Sequence, residues 1–144
     1  MDPLPHHYSV SAQGASDGPV LLSGAALANI ESAPPAEFGG PGDLWSPETL
    51  LLAAVADCFV LSFRAVASAS KFDWIELRCD TDGVLDRDEG VTRFKEVVNR
   101  VRLTLAAGGS EERANRLLQK AEDVCLISNS LNANIRLETS IEYS

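Results

Sequence analysis

From Leu50 to Ala67 only Asp57, Ser62 and Arg64 interrupt an apolar run, and a helix that is apolar on every side has to be covered on every side. The run sits in SPETLLLAAVADCFVLSFRAVASA, Ser46 to Ala69, which opens as helices open. Ser46 is a good N-cap. Pro47 takes the first helical position, where its missing N–H costs nothing, and Glu48 falls in the first turn, where the helix dipole favours a carboxylate. Cys58 lies in the middle of the run. A chain of this kind wraps the rest of its structure around one central helix. Asp57 and Arg64 inside the run, with amphipathic segments on both sides, argue against a membrane span.

The flanking segments supply the wrapping. Tyr8 to Ala12 alternates weakly, Val20 to Ser23 follows the Asp17-Gly18-Pro19 turn, and Ala25 to Glu31 is a third strand candidate. Glu37 to Trp45, EFGGPGDLW, reads as a loop leading into the helix. Beyond the helix, Trp74 to Thr81 alternates, with Ile75, Leu77, Cys79 and Thr81 on one face. Asp86 to Gly90 reads as a turn. Val91 to Leu105 is a long strand in which Val97-Val98 suggests a bulge. After Gly108-Gly109, Ser110 caps a helix whose apolar stripe is Ala114, Leu117, Leu118, Ala121 and Val124. Ala133 to Tyr143 is the last strand. The expected fold is α+β, with a mostly antiparallel sheet and a long buried central helix, as a single domain over residues 1–144.

Charge narrows the function. The net charge is −9, with all 12 basic residues after position 63 and seven acids before it, which argues against nucleic acid and anionic membrane surfaces as partners. The N-terminus MDPLPHHYS has neither a basic n-region nor an apolar h-region, so a cytoplasmic location is expected. In that setting three cysteines are read as thiols, not as a disulfide framework.

Few residues can carry chemistry. His6 and His7 are the two histidines, both in the N-terminal tail. No C-x-x-C spacing suggests a metal, no G-x-S-x-G elbow is present, and the glycine-rich loop lacks the lysine of a phosphate cradle. No cofactor is expected. Cys79 falls on the apolar face of a strand, where packing is its expected role. Cys58 and Cys125 remain. Residue chemistry leaves them two readings, since buried free cysteine usually packs. Against plain packing, Cys125 precedes the polar run Ser128-Asn129-Ser130, and Glu48 gives the segment before Cys58 a polar group.

SPETLLLAAVADCF, followed 67 residues after its cysteine (125 − 58) by KAEDVCLISNSL, resembles the OsmC/Ohr family, the osmotically inducible protein C and organic hydroperoxide resistance proteins. The shared features are the S-P-E opening, the small residues leading into the first cysteine, and a second cysteine of the C-P-x-S-x-x-L type. The resemblance covers nearly the whole chain. It implies thiol peroxidases of α+β fold, working as intertwined homodimers with the site at the subunit interface. It also implies that Cys58 is the peroxidatic cysteine, Cys125 the resolving one and Glu48 a site carboxylate.

Three departures stand out. The family places an arginine before the central helix to pair with thiolate and glutamate, and this chain has no Arg or Lys before Arg64. Leu126 stands where proline is usual. Asp57 directly precedes Cys58, where a nearby carboxylate would raise a thiol pKa. Two functions are consistent with this pattern. The first is reduction of organic hydroperoxides through Cys58 sulfenic acid and a Cys58–Cys125 disulfide, restored by an external dithiol, with Leu44, Trp45, Phe59 and Phe63 supplying apolar surroundings. The second is the same dimer with a lapsed peroxidase site, binding a small apolar ligand.

Overall fold

Three short strands, Ser11–Gln13 (β1), Val20–Ser23 (β2) and Ile30–Ser32 (β3), open the fold as an antiparallel sheet in the order β1-β2-β3. The structure is a computed structural model that describes residues Met1–Ser144. It divides into two compact units, Met1–Leu51 and Leu52–Ser144. In the first unit the strands sit where the sequence suggests, shifted by a few residues. The loop after them contains a 3-10 turn, Ala36–Phe38, closed by Gly39 at φ 86°. A Cβ has no comfortable place at that φ. Only Ser32, Ala33 and Ser46 are buried in this unit, while Leu27, Phe38 and Trp45 are each more than half exposed. It therefore has no apolar core of its own.

The central helix α1 is Pro47–Ala69. Ser46 caps it as expected, its Oγ accepting from the Thr49 N–H at 3.1 Å. Its buried positions are Val55, Phe59, Phe63, Val66 and Ala67, spaced as one stripe of a helix. The rest of its apolar surface is not covered within one chain: Leu61 is 49% exposed and Ala65 is exposed. The sequence calls for cover on every side, and one chain provides it on one side.

That stripe packs on the second unit's sheet, Glu76–Asp88 (β4), Val91–Leu105 (β5) and Asn134–Tyr143 (β6), in the order β4-β5-β6. The helix Glu111–Val124 (α2) crosses from β5 to β6. Such a crossover joins parallel neighbours, and β5 and β6 are parallel. The β4–β5 pair is antiparallel, so the fold is α+β with one parallel pair among antiparallel ones. Phe59, Phe63, Val101, Leu103, Leu118 and Ala121 form the centre of one core. The opposite face of the sheet is a lattice of exposed ion pairs, such as Arg78–Asp80 and Arg102–Glu142.

Three local expectations are corrected. β4 continues to Asp88, so the turn is only Glu89-Gly90. Both residues have positive φ, 49° and 82°, which a two-residue hairpin turn requires and which Gly90 supplies without strain. The bulge lies at Lys95, not at Val97-Val98, since Val84 pairs with Glu96 and Leu85 with Phe94. Val97 and Val98 are consecutive valines because both are buried, on opposite faces of the strand. Val124 is 48% exposed, and Cys125 takes the buried position at the end of the α2 stripe instead.

Candidate active site

Helix geometry and one tight turn bring two thiols together. Cys58 is half-buried near the middle of α1, at the edge of the Phe59–Phe63 stripe. Its Sγ lies 3.9 Å from the Ser62 Oγ, one helical turn on. Cys125 is fully buried where α2 ends. The chain turns there into a short helix, Leu126–Asn129 (α3), whose Asn129 N–H donates to the Cys125 carbonyl at 2.9 Å. Cys58 lies near enough to Cys125 to raise its thiol. Both cysteines are free thiols.

Their surroundings set the electrostatics. Burial pushes the Cys125 thiol above its ordinary value, the Ser128 hydroxyl and N–H pull it back, and the Cys58 sulfur pushes it up again. Ser128 is itself buried at 6% exposure, and its Oγ has no hydrogen bond of good geometry; the polar group it faces is the Cys125 sulfur. No Lys or Arg lies within hydrogen-bond distance of either sulfur.

Cys79 is more than plain packing. Its S–H is 3.7 Å from the Asn99 Oδ1 and 3.6 Å from the Thr81 Oγ1, and burial pushes it up to about 11. Fully buried Asn99 accepts from Thr81 at 2.7 Å and donates to Glu122 at 3.2 Å. This network fastens the last turn of α2 to the sheet, three residues before Cys125. Burial raises the Glu122 carboxyl, opposed by Asn99. Neither Asn99 nor Ser62 and Ser128 stands out in the sequence, because an isolated Ser or Asn carries no periodic or spacing signal.

Glu48 is in the first turn of α1, and its Oε1 is buried with no hydrogen-bond partner. It borders an apolar cleft of about 510 Å³ within the first unit, lined by residues including Val20, Leu22, Ala33, Phe38 and Leu50. On one continuous helix, ten residues separate it from Cys58 by about 15 Å of axis. Along that helix the Glu48 carboxylate cannot reach the Cys58 sulfur of its own chain. His6 is exposed and bonds to Asp2 and Tyr8. Phe59 and Phe63 face the sheet core, so they do not line an open site. Ala54 and Leu61, one turn either side of Cys58, are its apolar neighbours on the open face.

Asp57 is exposed and makes no ion pair with Arg64. Solvent screens such a carboxylate. Asp57→Asn is expected to leave the rate of Cys58 alkylation near neutral pH within about twofold of wild type. A clear acceleration, followed by peptide mass, would place the carboxylate on the sulfur instead.

The fold and the cysteine pair can be set beside known proteins. The chain is 27% identical to the uncharacterized protein YmaD of Bacillus subtilis (strain 168) over 139 residues, covering 92% of this chain and 91% of that one. It is 30% identical to the organic hydroperoxide resistance protein of Xanthomonas axonopodis pv. citri (strain 306) over 129 residues, covering 87% and 86%. An OsmC-like protein of unknown function from Vibrio cholerae superposes with a TM-score of 0.85 at 17% identity, over 94% of this chain and all of the other. Residues 40–140 match the family model of the OsmC-like proteins, and with that span and these relatives the chain belongs to the OsmC-like protein family.

Proposed function

We propose that the protein is a thiol peroxidase that reduces organic hydroperoxides in the cytoplasm as a homodimer. The observation that carries this reading is the neighbouring pair of free thiols, Cys58 and Cys125. The Cys58 thiolate attacks the peroxide oxygen distal to carbon. The O–O bond breaks, the alcohol leaves with a proton, and Cys58 becomes a sulfenic acid. The Cys125 sulfur then attacks the Cys58 sulfur, water leaves, and a disulfide forms. An external dithiol reduces it by two exchange steps and is itself oxidised. Relatives named for organic hydroperoxide resistance support this substrate class. Ala54 and Leu61 beside Cys58 favour an apolar hydroperoxide over hydrogen peroxide.

Two observations support the dimer. The uncovered face of α1 and the core-less first unit both need apolar cover, which a second copy supplies. The Glu48 Oε1, buried and unpartnered, is too far along its own helix to serve its own Cys58. In the dimer it serves the Cys58 of the partner. Glu48→Gln and Cys58→Ser homodimers are then each inactive in cumene hydroperoxide reduction with dithiothreitol. Mixed heterodimers regain one working site of two. Heterodimers that form without regaining activity would rule out the shared site.

The absence of a cation at Cys58 favours a second reading, in which the same fold binds a small apolar ligand without turnover. Steady-state consumption of cumene hydroperoxide separates the two. Wild type that shows no turnover with any dithiol, yet binds an apolar fluorophore, would support the second.

A further inference from the structure

We infer that Asn99 and Glu122 are positioning residues for the disulfide step, because their hydrogen bond ties the last turn of α2 to the sheet and so fixes where Cys125 stands. The inference rests on the proposed pairing of Cys58 with Cys125. Along β5 one row of alternate residues reads Val97, Asn99, Val101, Leu103 and Leu105, all buried. Four are aliphatic, and the fifth is an amide with no exposure at all. Burying an amide costs free energy unless its groups are bonded, and here both ends are. Its Oδ1 accepts from the Thr81 hydroxyl at 2.7 Å, and Thr81 is its direct partner on β4. The Cys79 Sγ lies 3.7 Å from the same oxygen. Its Nδ2 donates to the Glu122 Oε2 at 3.2 Å.

Glu122 joins this network to Cys125. Its carbonyl accepts from the Cys125 N–H at 3.3 Å, so one residue meets the sheet with its side chain and Cys125 with its main chain. The Asn129 side-chain amide closes the same turn by donating to the Asp123 carbonyl at 3.1 Å. Apolar packing holds this end of α2 less well. After fully buried Leu118 the stripe has only the Ala121 methyl before Cys125, and Val124 is 48% exposed. In the disulfide step the Cys125 sulfur bonds to the sulfur of the Cys58 sulfenic acid. The S–O bond breaks, and the oxygen leaves with the thiol proton as water. The new S–S bond is about 2 Å long, and a misplacement of about 1 Å can cost on the order of a hundredfold in rate. The attack of Cys58 on hydroperoxide asks nothing of the position of Cys125. Loss of the tie therefore slows the second step and spares the first.

The reduced protein is treated with cumene hydroperoxide in the presence of dimedone, and intact mass separates the sulfenic acid adduct from the chain lighter by two hydrogens. Glu122→Ala is expected to raise the ratio of adduct to disulfide about fivefold to thirtyfold, as loss of a hydrogen bond to a carboxylate does. The rate at which Cys58 is oxidised stays within about twofold of wild type, since its own contacts are unchanged. Glu122→Gln keeps an acceptor oxygen and holds the ratio within about threefold. Asn99→Ala cuts the same bond from the sheet side and raises the ratio likewise, which keeps the test open where far-UV circular dichroism shows Glu122→Ala unfolded. A second measurement needs no hydroperoxide. Oxidised glutathione forms a mixed disulfide with Cys58, and Cys125 closes it by displacing the glutathione thiol. Closure, followed by mass after acid quenching, slows in Glu122→Ala by a similar factor. A Glu122→Ala ratio and closure rate equal to wild type, even with lower stability in urea, overturn the inference and leave the network a purely structural one. So does a Glu122→Gln ratio as high as that of Glu122→Ala. If closure depends on Glu122 as expected while hydroperoxide leaves the wild-type thiols intact, the tie stands and the peroxidase reading falls. Wild type that forms neither disulfide overturns both.

Discussion

Cys58→Ser is expected to reduce hydroperoxide turnover on the order of a thousandfold or more, because no other group in the site can attack the peroxide oxygen. Cys125 is fully buried and Cys79 is bonded to Asn99 with its thiol pushed up to about 11, so neither offers a thiolate in its place. Cys125→Ser has a different signature. The first half-reaction survives, and the protein stops at a Cys58 sulfenic acid that a dimedone probe traps in one equivalent per chain. A Cys58→Ser protein with near wild-type turnover would move the chemistry to another residue. A Cys125→Ser protein that gives no adduct while wild type turns over would remove the two-step scheme.

The second large effect is on stability. Phe63 is fully buried in the α1 stripe, edge-on to Trp74 with ring centroids 5.3 Å apart. Phe63→Ala removes that ring from the centre of the only core that joins α1 to the sheet. The expected loss is about 3–5 kcal/mol, read from urea unfolding at fixed protein concentration. The matched control is Leu61→Ala on the open face of the same helix. Within a single chain it removes little buried surface. In the dimer it removes cover at the subunit contact, so its cost grows as protein is diluted. A Leu61→Ala loss that is independent of concentration would argue that this face is not a subunit contact.

Much of the fold was legible because periodic patterns reflect which face of an element is covered. Helix α1 was readable from its Ser46-Pro47-Glu48 opening, β5 from its alternation, and α2 from its cap and stripe. What escaped was decided by single residues or by tertiary pairing. The bulge at Lys95 depends on register with β4, which no local pattern encodes. The narrow Glu89-Gly90 turn was hidden by three acids that read as a longer loop. The parallel β5–β6 pairing follows from the α2 crossover rather than from either strand. The one-sided burial of α1 could not be separated from full burial, since apolar residues pack equally well on the same chain or on a second one.

Cys58, Cys125 and Glu48 stand out as candidates because they sit in spaced motifs. Their neighbours do not. Ser62 and Ser128 are ordinary polar residues until the helix turns place one hydroxyl beside each sulfur. Cys79 looked like packing because strand alternation put it on the apolar face. That same face carries Thr81, and it meets Asn99 of β5, so the thiol ends in a polar network.

The central claim is that Cys58 and Cys125 form one redox pair, and intact-mass measurement after a brief exposure to cumene hydroperoxide tests it most directly. The account predicts a chain lighter by two hydrogens, a peptide map that joins Cys58 to Cys125, and a Cys79 that still alkylates after unfolding. Dithiothreitol should then restore the starting mass. Three unreacted thiols under excess hydroperoxide, or a disulfide that includes Cys79, would contradict it.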